Sequence, residues 1–248
     1  LQYQRTNDTT DAILSMEGLR KSEGDRPIYD LNSLPLPIIH KDFSFSLREI
    51  ATSRRNGQSI DVTMAERCGR KVAEYAEKML LGTAGSYGYG GGSIYGYTNF
   101  PGRLLKTMDD PTGASWVPAD TLTDILEMRL QSQLSLHYGP WRIYNSPNWD
   151  AYLDDDFSSA KGDNSLRERI LKIQGINAVD TLDFLTGYQM IMVQMTSDVV
   201  REVIGMEVST VQWESHGGLE QHFKVMAIMV PQLRADINGK TGIVHGSV

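Results

Sequence analysis

Cysteine is nearly absent from this chain of 248 residues, and Cys68 is the only one. A single cysteine excludes an internal disulfide and is typical of a protein that folds in a reducing compartment. The sequence also has no apolar run near the roughly 20 residues that a membrane-spanning helix needs. The first residues, LQYQRTNDTTDAILS, lack the basic and apolar regions of a secretory signal. We therefore expect no membrane contact and no export through that route.

Positive charge is scarce as well. The chain has 24 Lys and Arg against 31 Asp and Glu, which gives a formal net charge of −7. Because nucleic-acid binding is driven by cations that displace counterions from phosphates, this balance argues against a protein built to grip DNA or RNA. The hydrophobic content of 40 % is nevertheless enough for a sizeable core in one large domain or two modest ones.

Known catalytic and cofactor motifs are missing. The glycine-rich stretch GSYGYGGGSIYGYTNF, from Gly85 to Phe100, lacks the G-x-G-x-x-G register and follows a helix instead of a strand. The string NGKT near the end resembles a phosphate-binding loop, but Arg234 stands where that loop requires glycine. The histidines have no partner at metal-ligand spacing, and the acidic run 154–156 lacks a calcium-loop pattern. We predict no catalytic, cofactor-binding or metal site, and no enzyme.

The order of periodic segments predicts an α+β fold. A helix is predicted over Asp61–Leu81, starting at a capping box of Thr63 and Glu66, and a second helix between Pro118 and Gly139. Strand patterns dominate the last third of the chain, where the longest is QHFKVMAIMV. Because strands and helices do not alternate regularly, we expect no doubly wound sheet.

The segment before the first helix predicts a long hairpin-like loop. Phe43, Phe45 and Leu47 alternate with polar residues, which is typical of a half-buried strand. The prolines of LPLPIIH restrict the start of this segment to a strand edge or an extended lead-in. At the other end, SRRNG contains the Asn-Gly pair that favours a tight reversal. Such a projection is marginal alone, so we expect neighbouring chains to cover it.

The order of these segments resembles a known family. PLPIIHKDFSFSLREIATSRRNGQSIDVTMAERCGRKVAEYAEKMLLGT followed by IYGYTNF is similar to the shell proteins of tailed double-stranded DNA bacteriophages, the Hong Kong ninety-seven fold. The branch that includes encapsulins is especially similar. GPWRIYNSPNWDAYLDDDF and VQWESHGGLEQHFKVMAIMVPQLRAD resemble the same branch, and the similarity covers about Leu34 to Val244.

The resemblance implies a division of the chain into arm, loop and two domains. The glycine stretch then becomes a turn between the long spine helix and the body, with Ile94 to Asn99 re-entering the core. The implied parts are an N-terminal arm (Leu1–Arg26), an extended loop (Pro27–Ile60), a peripheral domain with the spine helix (Asp61–Tyr138), an axial domain (Gly139–Ile204) and the returning strands of the peripheral domain (Gly205–Val248).

The resemblance also implies a function. A major capsid protein self-assembles, as pentamers and hexamers, into a closed icosahedral shell around double-stranded DNA that it touches without sequence specificity. Portal, scaffold and decoration proteins would be further partners, and the chain would assemble in the host cytoplasm and end in the virion. A start at Leu1 instead of Met would suit a maturation cut.

Two other functions stay open. An encapsulin-type nanocompartment has the same kind of shell but encloses enzyme cargo. A soluble enzyme with a glycine-lined pocket would be a monomer or small oligomer that binds a ligand near Gly85 to Gly96. Particle size separates the enzyme from either shell.

Five residues of the extended loop are the predicted contacts between subunits. They are Phe43, Phe45, Leu47, Arg54 and Arg55. The paired arginines suit carboxylates of a protein partner, because the guanidinium binds carboxylate oxygens in a forked geometry. Phe43→Asp or Phe45→Asp is predicted to leave the spine helix folded and to hinder particle formation.

Overall fold

A computed structural model describes residues 1–6, 29–57, 60–157 and 164–248 of the chain. Within these ranges the helices are α1 (Leu47–Arg55), α2 (Ile60–Leu81), α3 (Pro118–Leu134), α4 (Pro147–Asp154) and α5 (Leu166–Leu171). The strands are β1 (Gln2–Thr6), β2 (Tyr29–Ser33), β3 (Ile38–Ser46), β4 (Tyr87–Tyr89), β5 (Gly92–Ile94), β6 (Leu104–Thr107), β7 (Trp141–Asn145), β8 (Ile176–Thr181), β9 (Gln189–Gln194), β10 (Val200–Ser215), β11 (Glu220–Leu233) and β12 (Ile243–Ser247). The predicted mixed α+β class is confirmed.

The long helix α2 is present as predicted, but the predicted capping box is wrong. The helix begins at Ile60, so Thr63 and Glu66 lie exposed within it instead of capping it. Its apolar face packs on β11 and β3. The buried residues of this layer are Leu34, Ile39, Cys68, Val72, Met79, Ile94, Val225, Ala227 and Val230.

The three-stranded sheet that α2 covers has the order β10, β11, β3, and all its pairs are antiparallel. The prediction of a hairpin inside the extended loop is therefore wrong. The Phe43 strand pairs with β11, where Phe43 lies opposite Phe223. The segment after Ser46 forms the helix α1 instead of a returning strand.

A capping box explains why the chain changes to helix after β3. The Ser46 hydroxyl accepts from the Glu49 backbone N–H at 3.3 Å, and the Glu49 carboxylate accepts from the Ser46 backbone N–H at 2.9 Å. These bonds satisfy N–H groups that a helix start otherwise leaves free. Arg54 and Arg55 in the last turn complement the helix dipole.

A five-stranded sheet forms the second layer, in the order β6, β12, β9, β7, β8. Three of its strands come from the predicted axial domain, 139–204, while β6 and β12 come from outside it. The sheet thus crosses the predicted boundaries, and the domain division stays a prediction. Its core is built around two fully buried tryptophans, Trp141 and Trp149.

The N-terminal arm is described only in its first six residues. There β1 pairs antiparallel with β2, and Leu1 and Leu34 exchange backbone hydrogen bonds of 2.8 and 2.9 Å. The rest of the predicted arm, residues 7–26, lies outside the described residues.

The glycine-rich stretch connects α2 to the body, as the turn that the resemblance implied. Gly90 and Gly91 join β4 to β5 with φ of 58° and 80°, in the left-handed region that favours glycine. The following residues return against the end of α2, where Ile94 and Tyr97 are each only 2 % exposed. The expected re-entry of this segment into the core is confirmed.

Candidate assembly interface

Metal-ligating side chains are not clustered among the described residues. Within residues 1–6, 29–57, 60–157 and 164–248, no group of three or more His, Cys, Asp or Glu is placed to hold a metal ion. No helix in these ranges is long and apolar enough to cross a bilayer. The acidic run 154–156 ends α4, and Asp154 there accepts from Arg167 at 2.6 Å. The exposed surfaces of the chain are the remaining candidates for a functional site.

Two of the predicted contact residues are already used inside the chain. The Phe43 ring stacks on Phe223 with ring centres 5.0 Å apart, and Phe45 lies edge-on to both rings. Both phenylalanines are half-buried. Either aspartate substitution would therefore also disturb the β3–β11 pair, so these variants cannot isolate a contact between subunits.

The other three predicted residues are exposed. Leu47 keeps 46 % of its surface accessible, and its backbone N–H donates to the Leu219 carbonyl at 2.8 Å. Arg54 and Arg55 lie exposed at the end of α1, and neither forms an ion pair with another described residue. The structure thus brings Leu47 close to the β10–β11 turn and leaves both arginines without an ion pair to the part of the chain that it describes.

The strand β10 presents an apolar surface that sequence reasoning did not select. It is an edge strand of 16 residues, and none of them is buried. An uncovered edge of this length normally pairs or is covered. Its large exposed side chains are Ile204, Val208, Val211 and Trp213, and Leu219 extends the surface at the turn.

The helix α3 carries a second exposed apolar stripe. Leu126, Leu130 and Leu134 are 39 %, 53 % and 73 % exposed, one turn apart on one face. The apolar period of the sequence did not distinguish this exposed stripe from a core face. The buried face instead contains Thr121, Asp124, Ile125, Met128 and Ser132.

The polar side chains of that buried face have hydrogen-bond or ion-pair partners, which allows them to lie on the inward side of the helix. The Asp124 carboxylate lies 3.2 Å from the Lys106 ammonium and accepts from the Asp109 backbone N–H at 2.9 Å. The Ser132 hydroxyl accepts from the Trp141 indole N–H at 3.0 Å. Since these partners offset the cost of burial, the leucines are left facing outward.

The stripe predicts a contrast between two alanine substitutions. Ile125→Ala removes a fully buried side chain and should lower the free energy of unfolding by about 2–4 kcal/mol. Leu130→Ala should cost the isolated chain less than about 1 kcal/mol, because its side chain is half exposed. Urea unfolding of unassembled protein measures both. Equal losses would contradict the exposed position of Leu130.

Comparison with known proteins shows the fold of the chain. It is similar to the capsid of the Myoviridae phage XM1, with 8 % identity and a TM-score of 0.72 over 100 % of this chain and 84 % of that one. The virus-like particle of Pyrococcus furiosus gives 16 % identity and a TM-score of 0.68, covering 99 % of this chain and 86 % of that one. The mature capsid of bacteriophage PhiM1 has 11 % identity to this chain and a TM-score of 0.58, and the match covers 100 % of this chain and 81 % of that one. The predicted Hong Kong ninety-seven type fold is confirmed.

Sequence comparison adds the family. No curated protein matches the chain. One family model, described as Family of unknown function (DUF6260), matches residues 1–246. Because that match spans nearly the whole sequence, the chain belongs to the DUF6260 family.

Proposed function

We propose that this protein is a structural shell protein that self-assembles into a closed icosahedral capsid around double-stranded DNA. The observation that carries the proposal is the fold: the whole chain superimposes on chains of the phage XM1 and PhiM1 capsids. Two exposed apolar surfaces, on β10 and on α3, support it further. Large exposed apolar side chains grouped on one element are typical of an interaction surface.

An encapsulin-type compartment with enzyme cargo is the second candidate. It is favoured by the similarity to the Pyrococcus furiosus virus-like particle, at 16 % identity. The two candidates share the shell and differ in its contents. A portal or terminase gene beside this one would support the capsid, and a ferritin-like or peroxidase gene would support the compartment.

The proposal also covers the subunit groupings, the partners and the place of assembly. Copies of the chain form pentamers and hexamers, and portal, scaffold and decoration proteins complete the particle. DNA is touched without sequence specificity, and assembly takes place in the host cytoplasm before the protein becomes part of the virion. The extended loop reaches a neighbouring subunit through Leu47, Arg54 and Arg55, whose side chains are exposed in the single chain.

Electron microscopy of the expressed protein tests the proposal. Closed particles hundreds of ångströms across are expected, and light scattering should give a mass of many copies of the 27.7 kDa chain. A monomer or small oligomer at high protein concentration would refute both shell candidates and favour the soluble enzyme.

The two arginines of α1 provide a substitution test of the interface. Reversing both charges, with Arg54→Glu and Arg55→Glu together, should at least halve particle yield because a desolvated carboxylate partner would face like charge. The folded chain should lose less than about 0.5 kcal/mol, since both side chains are exposed. Particle yield is read by sedimentation and folding by circular dichroism.

The matched control keeps the charge and changes the shape. Arg54→Lys with Arg55→Lys should assemble better than the reversed variant, because long-range attraction survives while the forked hydrogen bonds are lost. Normal assembly of the charge-reversed protein would exclude these arginines from the subunit contact.

A further inference from the structure

A cleft of about 350 Å³ lies between parts of the chain that are distant in sequence. Its walls come from the β1–β2 pair, the glycine-rich stretch, the segment around Phe100, the end of β11 and the turn after it. The volume is in the range of small-molecule sites in proteins.

The first unusual feature of the cleft is the amide of Gln232. This residue lines the cleft and is 1 % exposed. Its Oε1 accepts from the Arg201 guanidinium at 2.5 Å, which fixes the amide because only the oxygen can accept from arginine. Its Nε2 is then buried without an acceptor among the described residues.

The second feature is the guanidinium of Arg5 in the same cleft. Its Nη2 donates to the Asp30 carboxylate at 3.0 Å, so the side chain is held across the β1–β2 pair. Its Nε is buried and has no acceptor among the described residues. A buried donor without a partner typically costs about 1–3 kcal/mol, more when it is charged.

We propose that this cleft binds a carboxylate group, which accepts hydrogen bonds from Arg5 Nε and Gln232 Nε2. The half-buried rings of Tyr3, Tyr95 and Phe100 also line the cleft and suit an apolar or aromatic body behind that carboxylate. The two oxygens of one carboxylate can accept from both donors, and a charged acceptor strengthens each of these hydrogen bonds.

A doubly charged phosphate fits less well. Asp236 also lines the cleft, and its carboxylate is held there by the Lys240 backbone N–H at 2.6 Å. A second negative charge on the ligand would be repelled by this acid. The carboxylate could be free or carried on a polypeptide side chain, since both present the same two oxygens.

Ligand-observed ¹⁹F NMR on the purified protein, in the assembly state it adopts, tests the site. The probe is 4-fluorobenzoate and the control is 4-fluorobenzamide, which has the same ring without the charge. The benzoate signal should broaden with added protein and the benzamide signal should not. Failure of the benzoate to broaden, or equal broadening of both, would overturn the proposal.

Competition then separates the two sources of carboxylate. Displacement of the benzoate by a capped glutamate peptide at lower concentration than by acetate indicates a polypeptide side chain. The reverse order indicates a free acid. Both results require that the competitor displaces benzoate from the cleft, and failure of both competitors to displace it would contradict the proposal.

Substitutions that should change benzoate affinity in opposite directions make the test specific. Gln232→Glu keeps the oxygen that binds Arg201 but replaces the free donor with an acceptor, so benzoate affinity should fall about tenfold or more. Arg5→Lys keeps the positive charge without the Nε–H and should weaken binding similarly. Asp236→Asn keeps an acceptor for Lys240 and removes the repelling charge, so affinity should rise severalfold.

The matched control is Gln174→Glu, the same chemical change at an exposed position before β8. The affinity of this control variant for 4-fluorobenzoate should equal that of the unchanged protein. Unaltered binding in both Gln232→Glu and Arg5→Lys would refute the site even where particles assemble normally. Particle formation is followed in parallel, so failure of this proposal is distinguishable from failure of the shell function.

Discussion

Gly96→Ala is expected to lower the free energy of unfolding by about 3 kcal/mol, although the change adds only one methyl group. A β-carbon at this position would lie 2.1 Å from the Gly82 backbone nitrogen and 2.6 Å from the Leu80 carbonyl oxygen. Both contacts are with backbone, so no flexible side chain can move aside. Relief requires that the end of α2 and the returning segment separate.

That separation would break the hydrogen bonds that join the two segments. The backbone N–H groups of Tyr97 and Thr98 each donate to carbonyls of the last turn of α2 at 2.9 Å. The Asn99 side chain accepts from the Gly96 backbone N–H at 2.7 Å and donates to the Gly82 carbonyl at 3.3 Å. This junction locks the glycine-rich stretch onto the long helix.

Gly69→Ala is the matched control for this prediction. Gly69 lies inside α2, and a β-carbon there would meet no atom within 4 Å. Because alanine favours helix over glycine, this change should stabilise the chain by about 0.5–1 kcal/mol. Urea unfolding compares the two variants. A stable Gly96→Ala protein would show that the two backbones do not need their close approach.

Local signals were enough to predict α2 and β11 from the sequence. Both are long segments with a strong apolar period, and each packs one face against the other, so local preference and tertiary packing agree. The turn at the glycine-rich stretch was predictable for a similar reason, since few other residues adopt the φ of Gly90 and Gly91.

The pairing of β3 depends on distant residues and was not predictable. An alternating strand followed by Asn-Gly fits a local hairpin, but the partner in the structure is β11, far along the chain. The same holds for β6 and β12, which pair in parallel across most of the sequence. The capping box of Ser46 and Glu49 was a local signal that could have indicated α1.

The exposed surfaces could be predicted only in part. Arg54 and Arg55 were found because adjacent cations stand out in an acidic sequence. The α3 leucines could not be identified as exposed, because a stripe that faces a neighbouring subunit has the same composition and period as one that faces its own core. The cleft has no sequence signal, since its two donors, Arg5 and Gln232, stand near opposite ends of the chain.

Protonation of His245 is expected to make the fold sensitive to mild acid. The ring is 8 % exposed on β12, and burial lowers its pKa to about 4, with the nearby Arg103 adding to the effect. Arg103 Nε donates to Nδ1 at 3.3 Å, so the neutral ring can donate from Nε2 to the Gln189 oxygen, also at 3.3 Å. A charged ring would turn a second donor toward the guanidinium.

The sign of the pH effect follows from the direction of this shift. The unfolded chain takes up the proton near its ordinary pKa of 6.5, while the folded chain resists it down to about 4. The contribution of the neutral ring to stability is therefore complete above about pH 6.5 and is lost as the pH falls toward 4. At 1.36 kcal/mol for each pKa unit, the loss is about 3 kcal/mol.

His245→Gln isolates this contribution, because its side chain does not titrate. Unfolding of unassembled protein in urea, measured from pH 7.5 to 4.5, should show the unchanged chain losing more stability than the variant, by about 2–3 kcal/mol. Burial also lowers the pKa of His137, but that group is present in both proteins and cancels in the difference. Parallel pH profiles would mean that water reaches the His245 ring, and hence that β12 separates from a neighbouring strand in the folded chain.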